Sequence, residues 1–377
     1  GKGKCRSLII AGCMGQRYGQ ELLEEFPEVD AIVGTGAWSR IMEAVEATIQ
    51  ERKRVLITGE SKEIYTASTP RIFTTPFYSA YIKIAEGCNH RCAYCAIPYV
   101  RGNYRSRTIE DIKQEVEALA EKGVKEFNII AQDTTYYGRD IYGKPSLVEL
   151  LKELVKIEKV KWLRIQYAYP HTFTDELIDL IASEDKICNY VDLPLQHAHN
   201  DVDNSVLNNG FSKESVEALL AKLRERIPGV VIRSSFIVGF PGETDSQYTT
   251  LRNFVEKQRF DKVGIFSYSR EEGTPAYDMP NQVDENIMQE RYHDLMSLQS
   301  KISETINIEM EGKVLDVLIE GRDDEQHMAY GRSYREAPDV DGQVFIEGDD
   351  ISQPGDIVKV RILQGFDYDV VGERVDA

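Results

Sequence analysis

"EGCNHRCAYCAIPYVRG", residues 86–102, places Cys88, Cys92 and Cys95 within eight residues, with gaps of three and then two. A structural zinc ion takes four ligands in a tetrahedron. His90 would complete the set only by folding back inside its own loop. Unliganded cysteines are usually buried as small hydrophobes, whereas these stand among Asn89, His90 and Arg91. An iron–sulfur cluster held by thiolates fits the spacing better. Three ligands then leave one iron open to a further molecule.

Outward from this loop, residues 74–306 repeat a strand followed by a helical pattern. The strand-like runs are "AYIKIAE", "EFNIIAQ", "WLRIQYA", "NYVDLPL", "VIRSSFIVGF" and "KVGIFSYS". Between them, patterns such as "IEDIKQEVEALAEKG" and "SKESVEALLAKLRERI" carry apolar residues at helical spacing. Six βα units in series imply parallel strands with right-handed crossovers. Eight units close a barrel, so six predict an open, partial one. Its site belongs at the C-terminal ends of the strands, where the cysteine loop follows the first strand.

Residues 1–68 read as strand, helix, strand, helix: "SLIIAG" and "VDAIVGTG" alternate with "GQELLEEF" and "RIMEAVEATI". Two parallel strands leave open edges, so this segment is expected to be the later part of an α/β unit whose start precedes Gly1. Residues 307–377 lose the helical period. "KVLDVLIEG", "GQVFIEG" and "DIVKVRILQG" alternate with Gly and Asp turns, predicting a small antiparallel β-barrel.

Composition narrows the function. The net charge is −18 over 377 residues, unlike the basic face of a protein that grips nucleic acid by charge. Six cysteines in 377 residues, three of them crowded into one loop, do not make a secreted disulfide framework, which predicts a reducing cytoplasm. No apolar run approaches the roughly 20 residues of a membrane span.

The cysteine loop after the first strand of a partial barrel resembles the radical S-adenosylmethionine (SAM) superfamily. There the open iron chelates the methionine part of SAM, and Tyr94 is expected near the adenine. The series "GCMGQRY", "FPEVDAIVGTG", "AIPYVRGNYRSR", "IIAQDTTYYGRD", "LPLQH", "RSSFIVGFPGET" and "YSREEGTPA" resembles the methylthiotransferases over essentially the whole chain. The resemblance implies insertion of sulfur into a C–H bond followed by methylation, with one SAM as radical source and one as methyl donor. It also implies a second, auxiliary [4Fe-4S] cluster on three N-terminal cysteines. Cys13 matches the third, and the first two would lie before Gly1, so the chain as written is expected to hold the SAM cluster well and the auxiliary one poorly. An electron donor such as a flavodoxin-like protein is a further expected partner.

Members of the family modify either tRNA adenosine or the β-carbon of an aspartate in small-subunit ribosomal protein twelve. "GRSYREAPDVDG" and "FDYDVVGE" resemble the ribosomal-protein branch. The third segment resembles a TRAM domain, yet from Thr305 onward it holds 18 Asp and Glu against 7 Lys and Arg. Such a surface repels tRNA and attracts a basic ribosomal protein. The tRNA reading is kept as the alternative.

Remaining site candidates sit at strand ends. Gln132 and Asp133 are expected to hold the amino end of SAM, although Asp133 also suits a helix cap. Gln196 and His197 end the fourth strand. Arg233 is expected to meet SAM's carboxylate, since an arginine lining a barrel needs a partner. Gly239, in "VGFPGET", would let backbone approach the adenosine, or simply serve a tight turn. Tyr169 and His171 fall at the same mouth without an assigned role. Cys188 reads as a core residue, and Cys5 matches no cluster position. After "LPLQH" the family's usual Met-x-Arg stretch is replaced by "AHNDVDNSVLNNG".

Overall fold

The computed structural model describes residues 4–375 except 61, 73–75, 203–211, 324, 326 and 350. The first unit comprises β1 (Ile9–Gly12), α1 (Cys13–Glu25), β2 (Ala31–Gly34), α2 (Ile41–Ile49) and β3 (Val55–Ile57). The three strands run parallel in the order β1-β2-β3. The sequence reading expects two strands here. The third has only three residues and no helical pattern after it, so its periodicity is too short to register. With β3 in place, β2 is central, and Ala31, Ile32 and Val33 are fully buried.

The central unit holds β4 (Ser79–Lys83), β5 (Ala85–Glu86), α3 (Ile97–Arg101), β6 (Arg105–Ser106), α4 (Ile109–Glu121), β7 (Glu126–Ile130), α5 (Arg139–Tyr142), α6 (Leu147–Leu154), β8 (Trp162–Ile165), α7 (Asp175–Ser183), β9 (Ile187–Gln196), α8 (Lys213–Arg226), β10 (Val231–Val238), α9 (Asp245–Gln258), β11 (Lys262–Ser267) and α10 (Glu285–Ile308). Six parallel strands line up as β4-β7-β8-β9-β10-β11, in chain order and open between the first and last. This is the expected partial barrel. Side-chain caps from Thr108, Thr174 and Thr244 start α4, α7 and α9, each worth about 1 kcal/mol. In α4, Ile112, Val116, Leu119 and Ala120 share one face and are buried against the sheet. Each large apolar side chain so buried contributes roughly 1.5–3 kcal/mol.

The third unit is a closed barrel of β12 (Val314–Asp323), β13 (Met328–Arg332), β14 (Val344–Glu347), β15 (Ile357–Gly365) and β16 (Val370–Arg374), joined β12-β13-β14-β16-β15. Four junctions are antiparallel as expected, but β14 and β16 run parallel. That pairing lets the last strand close the barrel between β14 and β15. Val317, Ile319, Ala329, Val344, Ile346, Val360 and Ile362 fill its interior.

This third unit stoppers the N-terminal end of the partial barrel. Arg332, at the end of β13, reaches in and makes a bidentate bond to Glu126 at the start of β7, at 2.6 and 3.0 Å. Arg164 on β8 bonds Glu126 at 3.2 Å and donates to the carbonyls of Tyr334 and Ser333. The Tyr190 hydroxyl donates to Asp341 at 2.7 Å. Cys188 is buried in the apolar layer around this floor with Tyr78, Trp162, Tyr190, Val231 and Leu318. Thus "GRSYREAPDVDG", first met as a family signature, contains the residues that fasten one unit to the other.

Candidate active site

The cysteine loop leaves β5 at the opposite end of the barrel. Gly87 has φ +84°, and a Cβ there would meet the Asn103 carbonyl oxygen at 2.3 Å, so only glycine lets the loop fold onto residues 102–104. Cys88 N–H donates to the Gly102 carbonyl, Tyr104 N–H to the Asn89 side chain, and Cys95 N–H to the Cys92 carbonyl. Ala276 N–H reaches the Ala93 carbonyl from beyond β11, tying the loop across the barrel mouth.

None of the three thiols forms a disulfide. Burial pushes the Cys88 thiol up to about 11 and raises Cys95 as well. Coordination to a metal deprotonates a thiol outright, so this pocket favours bound over free thiolate. Among the described residues, no three His, Cys, Asp or Glu side chains converge as ligands of a single ion would. Two thiolates on one zinc stand within about 4.6 Å of each other, twice the Zn–S bond. Three thiols carried by one loop are the donor set of a cluster with one iron left open. His90 is otherwise engaged: its Nε2 lies 2.6 Å from Asp133 Oδ2, and its ring stacks on Tyr169 at 4.0 Å. Tyr94 is half-buried beside the loop, where burial and then the thiols of Cys92, Cys95 and Cys88 push its hydroxyl up.

Several expected SAM contacts come out differently. Asp133 is buried with both oxygens engaged: Oδ2 with His90, Oδ1 accepting from the Thr135 hydroxyl and Tyr136 N–H. It caps the turn after β7 and steadies the cysteine loop, leaving little of it for a ligand. Gln132 differs from its neighbour, for its buried Oε1 accepts no hydrogen bond among the described residues. A buried orphan acceptor suits a cationic group of a ligand.

Arg233 is a clear correction. It lies near the start of β10, and its guanidinium meets Asp192 at 3.2 Å and Asp341 at 3.6 Å. The partner it needs comes from β9 and the third unit, at the floor and away from the cysteine loop. Gly239 takes the tight-turn alternative. Its φ is +76°, but a Cβ would strike Met288 Cγ at 2.1 Å, and its N–H is held by Glu243. Packing of α10 and a tight turn account for this glycine. His197 is buried against Glu243, which also pairs with Arg291 at 2.6 Å, a structural group at the strand ends. Gln196 keeps a left-handed backbone, φ +66°, a conformation costing about 1–3 kcal/mol and often kept at functional sites. Residues 203–211 of the unusual stretch after His197 lie outside the described residues.

The first unit flanks the same mouth. Cys13 opens α1 directly after β1, and its thiol borders a cavity of about 390 Å³ lined also by Thr35, Trp38, Tyr65, Lys83, Glu86 and Arg101. Trp38 and Tyr65 stack at 4.4 Å. Arg17 pairs with Glu271 beyond β11 at 2.8 Å. Cys5 stays outside, its thiol near the Ser7 carbonyl. The sequence reading passes over Lys83, Glu86 and Arg101. Arg101 sits inside "YVRGNYRSR", and its basic character is the one signal that sets it apart.

Fold and site together define a radical SAM enzyme. The radical SAM superfamily matches residues 82–255, and the TRAM domain matches residues 312–375. The ribosomal protein uS12 methylthiotransferase RimO of Desulforamulus reducens is 48% identical over 373 residues, 99% of this chain and 84% of that protein. RimO of Myxococcus xanthus is 45% identical over 375 residues, covering 78% of that protein. The chain belongs to the RimO family of methylthiotransferases. Among solved structures, the radical SAM methyltransferase TsrM of Kitasatospora setae, with cobalamin and a [4Fe-4S] cluster bound, superposes with a TM-score of 0.55 at 19% identity. That match covers 72% of this chain and 58% of TsrM, and it shows the fold.

Proposed function

We propose that this chain is a radical SAM methylthiotransferase of ribosomal protein uS12, acting on the β-carbon of one aspartate. One observation carries the reading: three cysteines outside any disulfide ride on one loop at the C-terminal mouth of a six-stranded parallel partial barrel, in a chain 48% identical to a RimO protein. Cys88, Cys92 and Cys95 are the residues that hold a [4Fe-4S] cluster. Bound there, the cluster and SAM supply hydrogen-atom abstraction from a carbon that no general base of ordinary pKa can deprotonate.

The chain's own residues orient and enclose. Tyr94 stands beside the thiols where the adenine would lie. Gln132 offers its orphan Oε1 to the ammonium of SAM, and Gln196 presents its side chain from a strained turn at the same rim. The Asp133–His90 contact holds the loop against Tyr169. Cys13 belongs to the auxiliary cluster, a second site bordering the same mouth. The units are divided as 1–68, 74–306 and 307–377. A small reductant protein supplies electrons in the cytoplasm. Among the described residues no helix is long and apolar enough to cross a membrane.

The acidic third unit supports a basic protein substrate over tRNA. It sits at the barrel floor, so it would engage a part of the substrate remote from the reacting residue. The test offers the enzyme carrying both clusters, reconstituted anaerobically, with SAM, sulfide and reductant, a uS12 loop peptide and an anticodon-stem RNA together. A methylthio mass gain on the peptide alone is expected. A gain on the RNA would instead assign the tRNA activity.

A further inference from the structure

The loops at the barrel mouth carry a charge opposite to that of the chain as a whole. Residues 87–109, which include the cysteine loop, hold four arginines and no aspartate or glutamate, in a chain of net charge −18. Arg91, between Cys88 and Cys92, is exposed, and its guanidinium carbon lies 6.0 Å from the centre of the Tyr99 ring. Its φ of +51° is left-handed, a conformation that persists mostly at functional sites. Arg139, at the start of α5, is exposed and lies over Tyr136 at 5.1 Å. Tyr136 in turn packs edge-on to His90 of the cysteine loop. Arg270, past β11, is exposed over Tyr277 at 4.5 Å, and its Nε donates to the Tyr277 carbonyl at 2.9 Å. The neighbouring Ala276 N–H bonds the Ala93 carbonyl of the same cysteine loop. Three arginines from three loops are therefore tied to one place. No carboxylate among the described residues pairs with any of them, whereas Arg17, Arg101 and Arg107 nearby each hold one. Acids outnumber bases 63 to 45 in this chain, so three exposed arginines left without an acid at one rim call for an anion from outside.

We propose that the stacks of Arg91 on Tyr99, Arg139 on Tyr136 and Arg270 on Tyr277 form a rim that binds the phosphodiester backbone of ribosomal RNA, so that the enzyme takes uS12 in place on the small subunit in preference to the free protein. This rests on the uS12 reading made above and deepens it. A guanidinium is charged at every working pH, and its planar fork matches a phosphate bidentately. A ring beneath it holds the plane of the fork and adds a cation–π attraction. Tyrosine faces beside cations also stack bases, the pairing that single-stranded RNA sites use. A basic protein cannot supply the anion itself. Its one target carboxylate enters the mouth and cannot satisfy three guanidinium groups spread over three loops. The rest of such a protein is repelled by the rim and attracted by the acidic third unit at the floor. The missing anions come from a second component presented with the aspartate, and an assembled ribosomal protein brings RNA phosphates with it.

The test measures binding of labelled holoenzyme to unmodified small ribosomal subunits, to free uS12 and to an anticodon-stem RNA, by fluorescence anisotropy over a range of salt. Subunits are expected to bind about tenfold tighter than free uS12 or more, with a steep salt dependence. Each of Arg91→Gln, Arg139→Gln and Arg270→Gln is expected to lower the slope of log affinity against log salt by about 0.7–0.9, one phosphate contact's share, for subunits alone. The matching Arg→Lys variants are expected to keep the slope and lose part of the affinity, since they return the charge without the fork. Should Arg91→Gln load iron poorly, Arg139→Gln and Arg270→Gln decide, because their loops carry no cluster thiol. An unchanged slope in the variants that load fully overturns the proposal, as does a parent that prefers free uS12. Tighter binding of the anticodon-stem RNA than of subunits would give the rim to tRNA and overturn it too. Mass spectrometry of uS12 after addition of SAM, sulfide and reductant separates the claims. A methylthio gain on uS12 with an unmoved slope fails the rim alone. No gain on uS12, free or assembled, fails the uS12 reading and the rim with it.

Discussion

The two ends of the partial barrel treat one buried polar group each, on Glu126 and Gln132, in opposite ways. At the floor, Glu126 is fully buried, yet Arg332, Arg164 and the Ser79 hydroxyl occupy its oxygens. At the mouth, Gln132 Oε1 is buried without a hydrogen bond among the described residues, and three thiols share one loop without a disulfide. A closed charge network specifies how two units dock. An unclosed one marks where a ligand is to come. The difference separates residues that build from residues that react, although both sets are polar and line the same barrel.

The largest expected effect strikes the mouth. Cys92→Ala should abolish SAM cleavage and the cluster's visible absorbance while circular dichroism and thermal unfolding stay close to those of the iron-free parent. Loss of the fold would make these thiols structural. Next comes the floor: Arg332→Met leaves Glu126 short of its main partner and should cost about 3–5 kcal/mol in urea unfolding, as for one broken partner of a buried pair. Its iron content after reconstitution should be unchanged, since the loop is at the other end.

Acidity sharpens the same contrast. Burial alone would raise the Glu126 carboxyl, but Arg332 and Arg164 hold it below its ordinary value of 4.5. A depressed folded-state pKa gives stability that is present above the unfolded value and lost as pH falls through the folded one. Unfolding free energy should therefore drop below about pH 4.5, and Glu126→Gln should flatten that limb. An unaltered acid limb in this variant would remove Glu126 from the account. The smallest effect belongs to Gln132→Leu, expected to weaken SAM binding by about tenfold, or 1.4 kcal/mol, with stability nearly unchanged. Arg233→Met provides the control, weakening the contact to Asp341 and leaving SAM affinity as it was.

Legibility in the sequence follows the range of the interactions. Six strand-plus-helix periods suffice for the partial barrel, because each period is local and repeated. The cysteine spacing is legible for the same reason. Arg233 found a partner distant in sequence, Asp341, while Asp133 and Gly239 took the cap and the tight turn that the sequence also allowed, with His90 and Met288 arriving from other elements. An arginine within an apolar strand announces that it needs a carboxylate, but not which one. Gln132 and Asp133 read alike as neighbours at a strand end. The turn between β7 and α5 engages Asp133 and leaves the Gln132 oxygen bare, a distinction only coordinates reveal. The short β3 escaped because three residues carry no period.

The bond between Glu126 and Arg332 spans 206 residues of chain. At a synthesis rate of 5–20 residues per second, roughly 10–40 s separate the emergence of the two. Throughout that interval the floor carboxylate has Arg164 and the Ser79 hydroxyl but lacks its bidentate partner, beside Tyr78, Trp162 and Val231, which also await the third unit. Amide exchange on a chain ended before Met328 should find the starts of β7 and β8 unprotected while their helices are formed. The third unit is thus the keystone of a barrel made before it, and the docking of the two is timed by the ribosome.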